Sequence, residues 1–188
     1  MTSATEITSQ VVRPTGTMRR ILPGIEGAPG TGSHSLARLS PARLGEIVGE
    51  IVAAEQSWRS IVQFSAERRW YRRLVLADDH EIWLLSWLPG QQTGFHDHGE
   101  ARGAFAVARG ELRETLARPG RNRVRNRSAS AGSVTTFGGG HLHNVSNAAT
   151  GPAISVHAYS PPLTAMRRYE MTGAGLTLVR TDHAEFDW

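Results

Sequence analysis

One stretch of the chain carries helical spacing: Leu44, Ile47, Val48 and Ile51 recur every three or four residues. Ser40 stands before it as an N-cap and Pro41 takes the first helical position, so the pattern predicts a single amphipathic helix over 41–54. Beyond Trp70 the texture changes to short β-prone stretches punctuated by Gly, Pro and Asn, at 70–77, 81–89, 103–117, 133–138, 153–160 and 175–181. Many short strands after one helix predict a mainly β domain built as a sandwich or barrel. Residues 1–35 are rich in Thr, Ser, Gly and Pro with no sustained apolar period, and are expected to form a flexible arm ahead of one domain over 36–188. No internal repeat is visible.

Composition narrows the chemistry. The chain has 188 residues, enough for one sizeable core, and no cysteine. Disulfides, thiolate metal sites and cysteine nucleophiles are therefore excluded, and any metal must sit on nitrogen or oxygen. No apolar run approaches the roughly 20 residues of a membrane span, and no signal-peptide core is visible near the start. A cytoplasmic protein without membrane contact is expected. The net charge is +4 and all 21 basic residues are Arg. Their one local cluster, Arg118, Arg121, Arg123, Arg125 and Arg127, has no aromatic residues interleaved for base stacking, so it reads as a solvated hairpin and no nucleic-acid partner is expected.

The histidines carry the sharper signal. His96 and His98 form an H-x-H pair, and on a strand such a pair puts both imidazoles on one face. Gly90 precedes His96 by five intervening residues; Gly103 and Gly110 follow at set distances. This resembles the first motif of the cupin superfamily, G-x5-H-x-H-x4-E-x6-G, with Gly103 in the place of Glu. The second cupin motif, G-x5-P-x-G-x2-H-x3-N, is matched by Gly132, Gly140, His143 and Asn147, with Gly138 in the place of Pro. The resemblance implies a cupin fold, mainly β, a small β-barrel or jelly roll with one or more short helices at its N-terminal side. It also selects His143 as a ligand and leaves His141 outside the set. Three imidazoles without a carboxylate suit Fe(II) with open positions, or Zn with an activated water; ligand count does not choose between them.

The stretches HDHGEARGAFAVARGELRETL, HLHNVSN and SVHAYSPP look like the thiol dioxygenase branch of the cupins, in particular the cysteine dioxygenases, over about 68–165. The resemblance implies one mononuclear non-haem Fe(II) ion on His96, His98 and His143, oxidation of L-cysteine by O2 to cysteine sulfinate, and a monomer. It implies catalytic roles for Ser155, His157 and Tyr159, which also alternate along a β-prone run and so share a face. Arg72, in W-Y-R-R-L-V, falls where the family carries the Arg that pairs with the substrate carboxylate, with Arg73 facing the other way. Gly103 stands in place of the cysteine that mammalian members crosslink to the active-site Tyr, so the chain resembles the bacterial type that lacks this crosslink. Two alternatives remain: a dioxygenase of another small thiol acid such as 3-mercaptopropionate, and a cupin that binds a metal without redox chemistry.

Overall fold

The computed structural model describes residues 38–183, and among these are eleven strands, one α-helix and two short 3-10 turns. The expected arm over 1–35 lies outside the described residues. The helix α1 runs Pro41–Ala53, with the Ser40 hydroxyl accepting from the Arg43 N–H and Pro41 in the first turn, as its start signals predict. Its apolar stripe, Leu44, Ile47, Val48 and Ile51, is buried. At fully buried positions each such side chain contributes about 1.5–3 kcal/mol.

The strands form two antiparallel sheets. One has the order β1 (Tyr71–Leu76), β2 (Glu81–Trp87), β9 (Ala153–Ser160), β4 (Arg102–Arg109) and β7 (Val134–Phe137). The other has the order β11 (Gly175–His183), β10 (Ala165–Thr172), β3 (Phe95–Asp97), β8 (His143–Ser146), β5 (Glu111–Leu116) and β6 (Arg125–Ser130). This is the small two-sheet barrel of the cupin fold. The main core, with Trp87, Phe105, Val107, Leu112 and Val145, draws side chains from both sheets. The helix packs on β4, β7 and β9. Among the described residues no helix is long and apolar enough to cross a membrane.

The motif glycines serve the turns. Gly110, between β4 and β5, has φ +76°, and a Cβ there would lie 2.6 Å from the Pro152 carbonyl oxygen, so no side chain fits. Asn147, the last motif residue, is fully buried; its amide donates to the carbonyls of Trp87 and Gly151 and ties the loop after β8 to the end of β2. Four strands fall outside the predicted β-prone stretches: the short β3 and β8, which carry motif histidines, and β6 and β10. β6 (RNRSAS) is mostly exposed at a sheet edge, and its arginines disguise it as a loop. β10 (AMRRYEMT) has a register shift between Arg168 and Tyr169 that breaks the period of two.

Candidate metal centre and its cavity

His96 on β3 and His143 on β8 face each other directly in the ladder, and His98 follows one residue past the end of β3. The ring centroids lie 4.7 Å apart for His96 and His143, 4.8 Å for His96 and His98, and 5.3 Å for His98 and His143. One ring nitrogen of each falls within 4.8 Å of those of the other two. His96 Nδ1 is 3.0 Å from the Gly94 carbonyl and therefore donates to it; His143 Nδ1 is 2.7 Å from Glu114 Oε1. Among the described residues, the Nε2 of His143 and both ring nitrogens of His98 are buried without a partner. Buried polar atoms are seldom left so, because each forfeits its hydration. Burial, reinforced by the neighbouring rings, pushes His96 and His98 well below the ordinary histidine range, and burial also lowers His143. Three neutral imidazoles converging on one point, two of them with orphaned nitrogens, fit a single divalent ion of the kind nitrogen donors favour.

The ring of support differs from ligand to ligand. Glu114 is fully buried, and its carboxylate accepts from His143 and His141 and pairs with Arg127. Burial raises its pKa, but those hydrogen bonds outweigh burial and hold it below the ordinary carboxylate range. Asp97, between the two histidines of the H-x-H pair, points the other way and accepts from Tyr169 Oη (2.7 Å), Arg167 Nε (2.9 Å) and the Gly99 N–H (2.9 Å), which pins β3 to β10. Gly103 is on β4 opposite Tyr159, and a Cβ on it would lie 2.4 Å from the Phe137 ring. Phe137 thus fills the space that a Glu or Cys at 103 would need, stacking on His98 and His141.

The opposite wall is β9. Ser155, His157 and Tyr159 are buried and share one face, as their alternation predicts. Trp87 Nε1–H donates to Ser155 Oγ at 2.9 Å, and Ser155 Oγ lies 2.9 Å from His157 Nε2. His157 Nδ1 is 3.5 Å from Tyr159 Oη, so the row runs Trp87, Ser155, His157, Tyr159. Burial lowers His157 to about 3 and raises the Tyr159 phenol above its ordinary range, so both are neutral.

The cavity over the triad is lined by His96, His143, His157, Tyr159, Arg69 and Arg168, with apolar side chains between them. Arg72 is not among its lining residues. Tyr71 faces the cavity and packs edge-on against Trp83 at 5.8 Å, so strand alternation turns Arg72 outward, where it is exposed. The expected inward Arg is displaced to Arg69, which shares the parity of Tyr71. Arg73, expected to face away from the site, shares the face of Tyr71 instead and lies half-exposed over the Trp83 ring, with Nη1 3.7 Å from the buried Glu81. The Arg69 guanidinium lies 4.9 Å over the Trp87 ring and donates to the Gln92 carbonyl, and its Nε is buried without a partner. Burial and the charge of Arg168 lower it to about 10. Arg168 donates to Asp182 at 2.7 Å and to the Thr93 carbonyl. Sequence reasoning missed Arg69 because the string W-Y-R-R does not show that Tyr71, and not Arg72, faces the cavity, and missed Arg168 because β10 carries no clean period.

The sequence model of the cysteine dioxygenase type I family matches residues 44–172, most of the chain and nearly all of this barrel. The chain belongs to the cysteine dioxygenase type I family. Among curated members of this family it is 27% identical to cysteine dioxygenase type 1 of Danio rerio over 128 residues, covering 61% of this chain and 62% of that protein. It is 28% identical to cysteine dioxygenase type 1 of Homo sapiens over 142 residues, covering 69% and 70%. The chain therefore spans less than two thirds of the zebrafish relative's length. Solved structures aligned with it include a protein of Thermus thermophilus (17% identity, 55% of this chain, 93% of that one, TM-score 0.49). A cupin superfamily protein of Desulfitobacterium hafniense aligns at 13% identity over 55% of this chain and 86% of that one, with TM-score 0.47.

Proposed function

We propose that this member of the cysteine dioxygenase type I family is an Fe(II)-dependent thiol dioxygenase acting on small thiol carboxylic acids, with L-cysteine as its substrate. One observation carries the reading: a half-buried guanidinium, its Nε buried and unpartnered among the described residues, lines the same cavity as two rings of the imidazole triad and the phenol of Tyr159. His96, His98 and His143 would hold the metal. When bound there, Fe(II) supplies a redox-active centre at which a thiol and O2 can be brought together. The reaction balances without an external reductant, since R–SH and O2 give R–SO2H.

The chain's own residues divide the remaining work. Arg69 holds the carboxylate through a planar fork in a site where burial strengthens the attraction, and Arg168 adds a second positive charge at that end. Tyr159, at the end of the row Trp87, Ser155, His157, presents its hydroxyl at the cavity wall, where it directs a proton at the bound ligands. Leu85, Val145, Leu163 and Met166 line the remaining surface and keep bulk water from the reacting end.

A second reading draws on one feature of the cavity: no carboxylate is among its described lining residues, so nothing there pairs with an amine. That favours a thiol acid lacking the amine, such as 3-mercaptopropionate. A thiol panel separates the readings. With the Fe(II)-loaded protein, kcat/KM is expected to rank L-cysteine above 3-mercaptopropionate and both far above cysteamine, which has no carboxylate. A higher value for 3-mercaptopropionate selects the second reading, and equal values for cysteamine remove the carboxylate from recognition.

A further inference from the structure

We infer that Glu114 is a positioning residue that fixes the tautomer of His143 and strengthens it as a metal donor, with Arg127 and His141 sharing the carboxylate's charge. The inference rests on the metal reading of the triad and not on the thiol chemistry.

Glu114 lies near the middle of β5, between two ladders. On one side β8 places Val145 opposite Glu114 and His143 opposite Leu116; on the other β6 places Arg127 opposite Glu114. One step along the strand brings the carboxylate to His143, and one step across brings it to Arg127. Oε1 accepts from His143 Nδ1 and from His141 Nε2, each at 2.7 Å, and Oε2 pairs with Arg127 Nε. The carboxylate is fully buried, whereas Arg127 is 40% exposed.

The fold alone gives little reason for a charge here. A buried ion pair is a weak source of stability, and a well-packed apolar side chain of similar volume often does as well or better. Its effect on His143 is specific. An ionised carboxylate only accepts, so Nδ1 of His143 must carry the ring proton and Nε2 must present a bare lone pair. That Nε2 is the buried, unpartnered atom turned toward the other two rings. The three ligands thus have three grades of support: a carboxylate behind His143, the Gly94 carbonyl behind His96, and no partner at either nitrogen of His98. The carboxylate-backed ring is the strongest donor of the three. His141, with its Nε2 committed to Glu114 and its ring 4.4 Å from that of Phe137, belongs to the support and not to the ligand set.

Two measurements on the full chain test this. In the metal-free wild type with 15N-labelled histidine, long-range 1H–15N correlation is expected to show His143 as the Nδ1–H tautomer. Glu114→Gln, titrated with Co(II) against a chelator, is expected to bind about 10- to 100-fold more weakly than wild type, with His143 a mixture of tautomers. An Nε2–H tautomer in the wild type overturns the inference, and that spectrum decides even if the variant fails to fold. A folded variant binding Co(II) as tightly as wild type also overturns it. Failure of the metal reading looks different: wild type and His143→Ala would then bind Co(II) equally weakly, which overturns both.

Discussion

The two sheets of the barrel meet at one cavity and contribute opposite kinds of chemistry. The six-stranded sheet supplies His96, His143 and Glu114 from β3, β8 and β5, with His98 just past the end of β3; ring nitrogens of His98 and His143 are left without a partner among the described residues. The five-stranded sheet supplies Ser155, His157 and Tyr159 from β9 and Trp87 from β2, where nearly every polar atom is engaged in one row. The first wall is incomplete without a ligand; the second is already satisfied and neutral. A wall that lacks partners is built to bind, and a wall that is satisfied is built to hold a proton in place. Two groups on the second wall are exceptions among the described residues, the Nε1–H of Trp83 on β2 and the Nε of Arg69 at the entry to β1; the charged one, Arg69, marks where the substrate's anion is expected.

Each wall fails in its own way when altered. The largest effect is expected from His143→Ala, which removes a donor that no neighbour replaces: metal analysis after anaerobic loading should find the tight site lost, and turnover with it. Tyr159→Phe should leave metal content as in wild type while turnover falls by about a hundredfold, the scale of a lost proton-directing group; equal loss of metal would place Tyr159 on the first wall. Arg69→Gln should lower kcat/KM for thiol acids by about 10- to 100-fold, as for a hydrogen bond to a charged group, with the rate on cysteamine unmoved. Gly103→Cys should lower stability by about 1–3 kcal/mol through the clash with Phe137; in a double-mutant cycle read by denaturant unfolding, Phe137→Leu should recover part of it. Arg72→Gln should change kcat/KM by less than about twofold, as for an exposed substitution, and a loss matching that of Arg69→Gln would restore the sequence-based assignment.

Features that rest on a fixed spacing were legible in the sequence. Helix α1 announces itself through Ser40, Pro41 and a four-residue apolar stripe, and β9 through its unbroken alternation up to Pro161. The triad follows from two spaced motifs, and the structure brings those three rings together. What escaped depends on register and on distant partners. Arg72 and Arg69 differ by three positions, and strand alternation counted from Tyr71 decides between them, a count the local string W-Y-R-R does not reveal. Arg168 enters the cavity from a strand whose bulge hides its period. Glu114 carries no signal within GELRETL until β8 and β6 flank it with His143 and Arg127. The consequence of Gly103 was visible only in part: the missing side chain is read from sequence, whereas the Phe137 ring in its place comes from another strand.

The most direct test of the account is oxygen uptake by the Fe(II)-loaded chain with L-cysteine, measured together with the sulfinate formed. The account predicts thiol-dependent uptake with one O2 consumed per cysteine sulfinate, and none in the His143→Ala variant. A chain that holds the metal at His96, His98 and His143 yet consumes no O2 with any thiol acid would contradict it and leave a metal-binding cupin without redox chemistry.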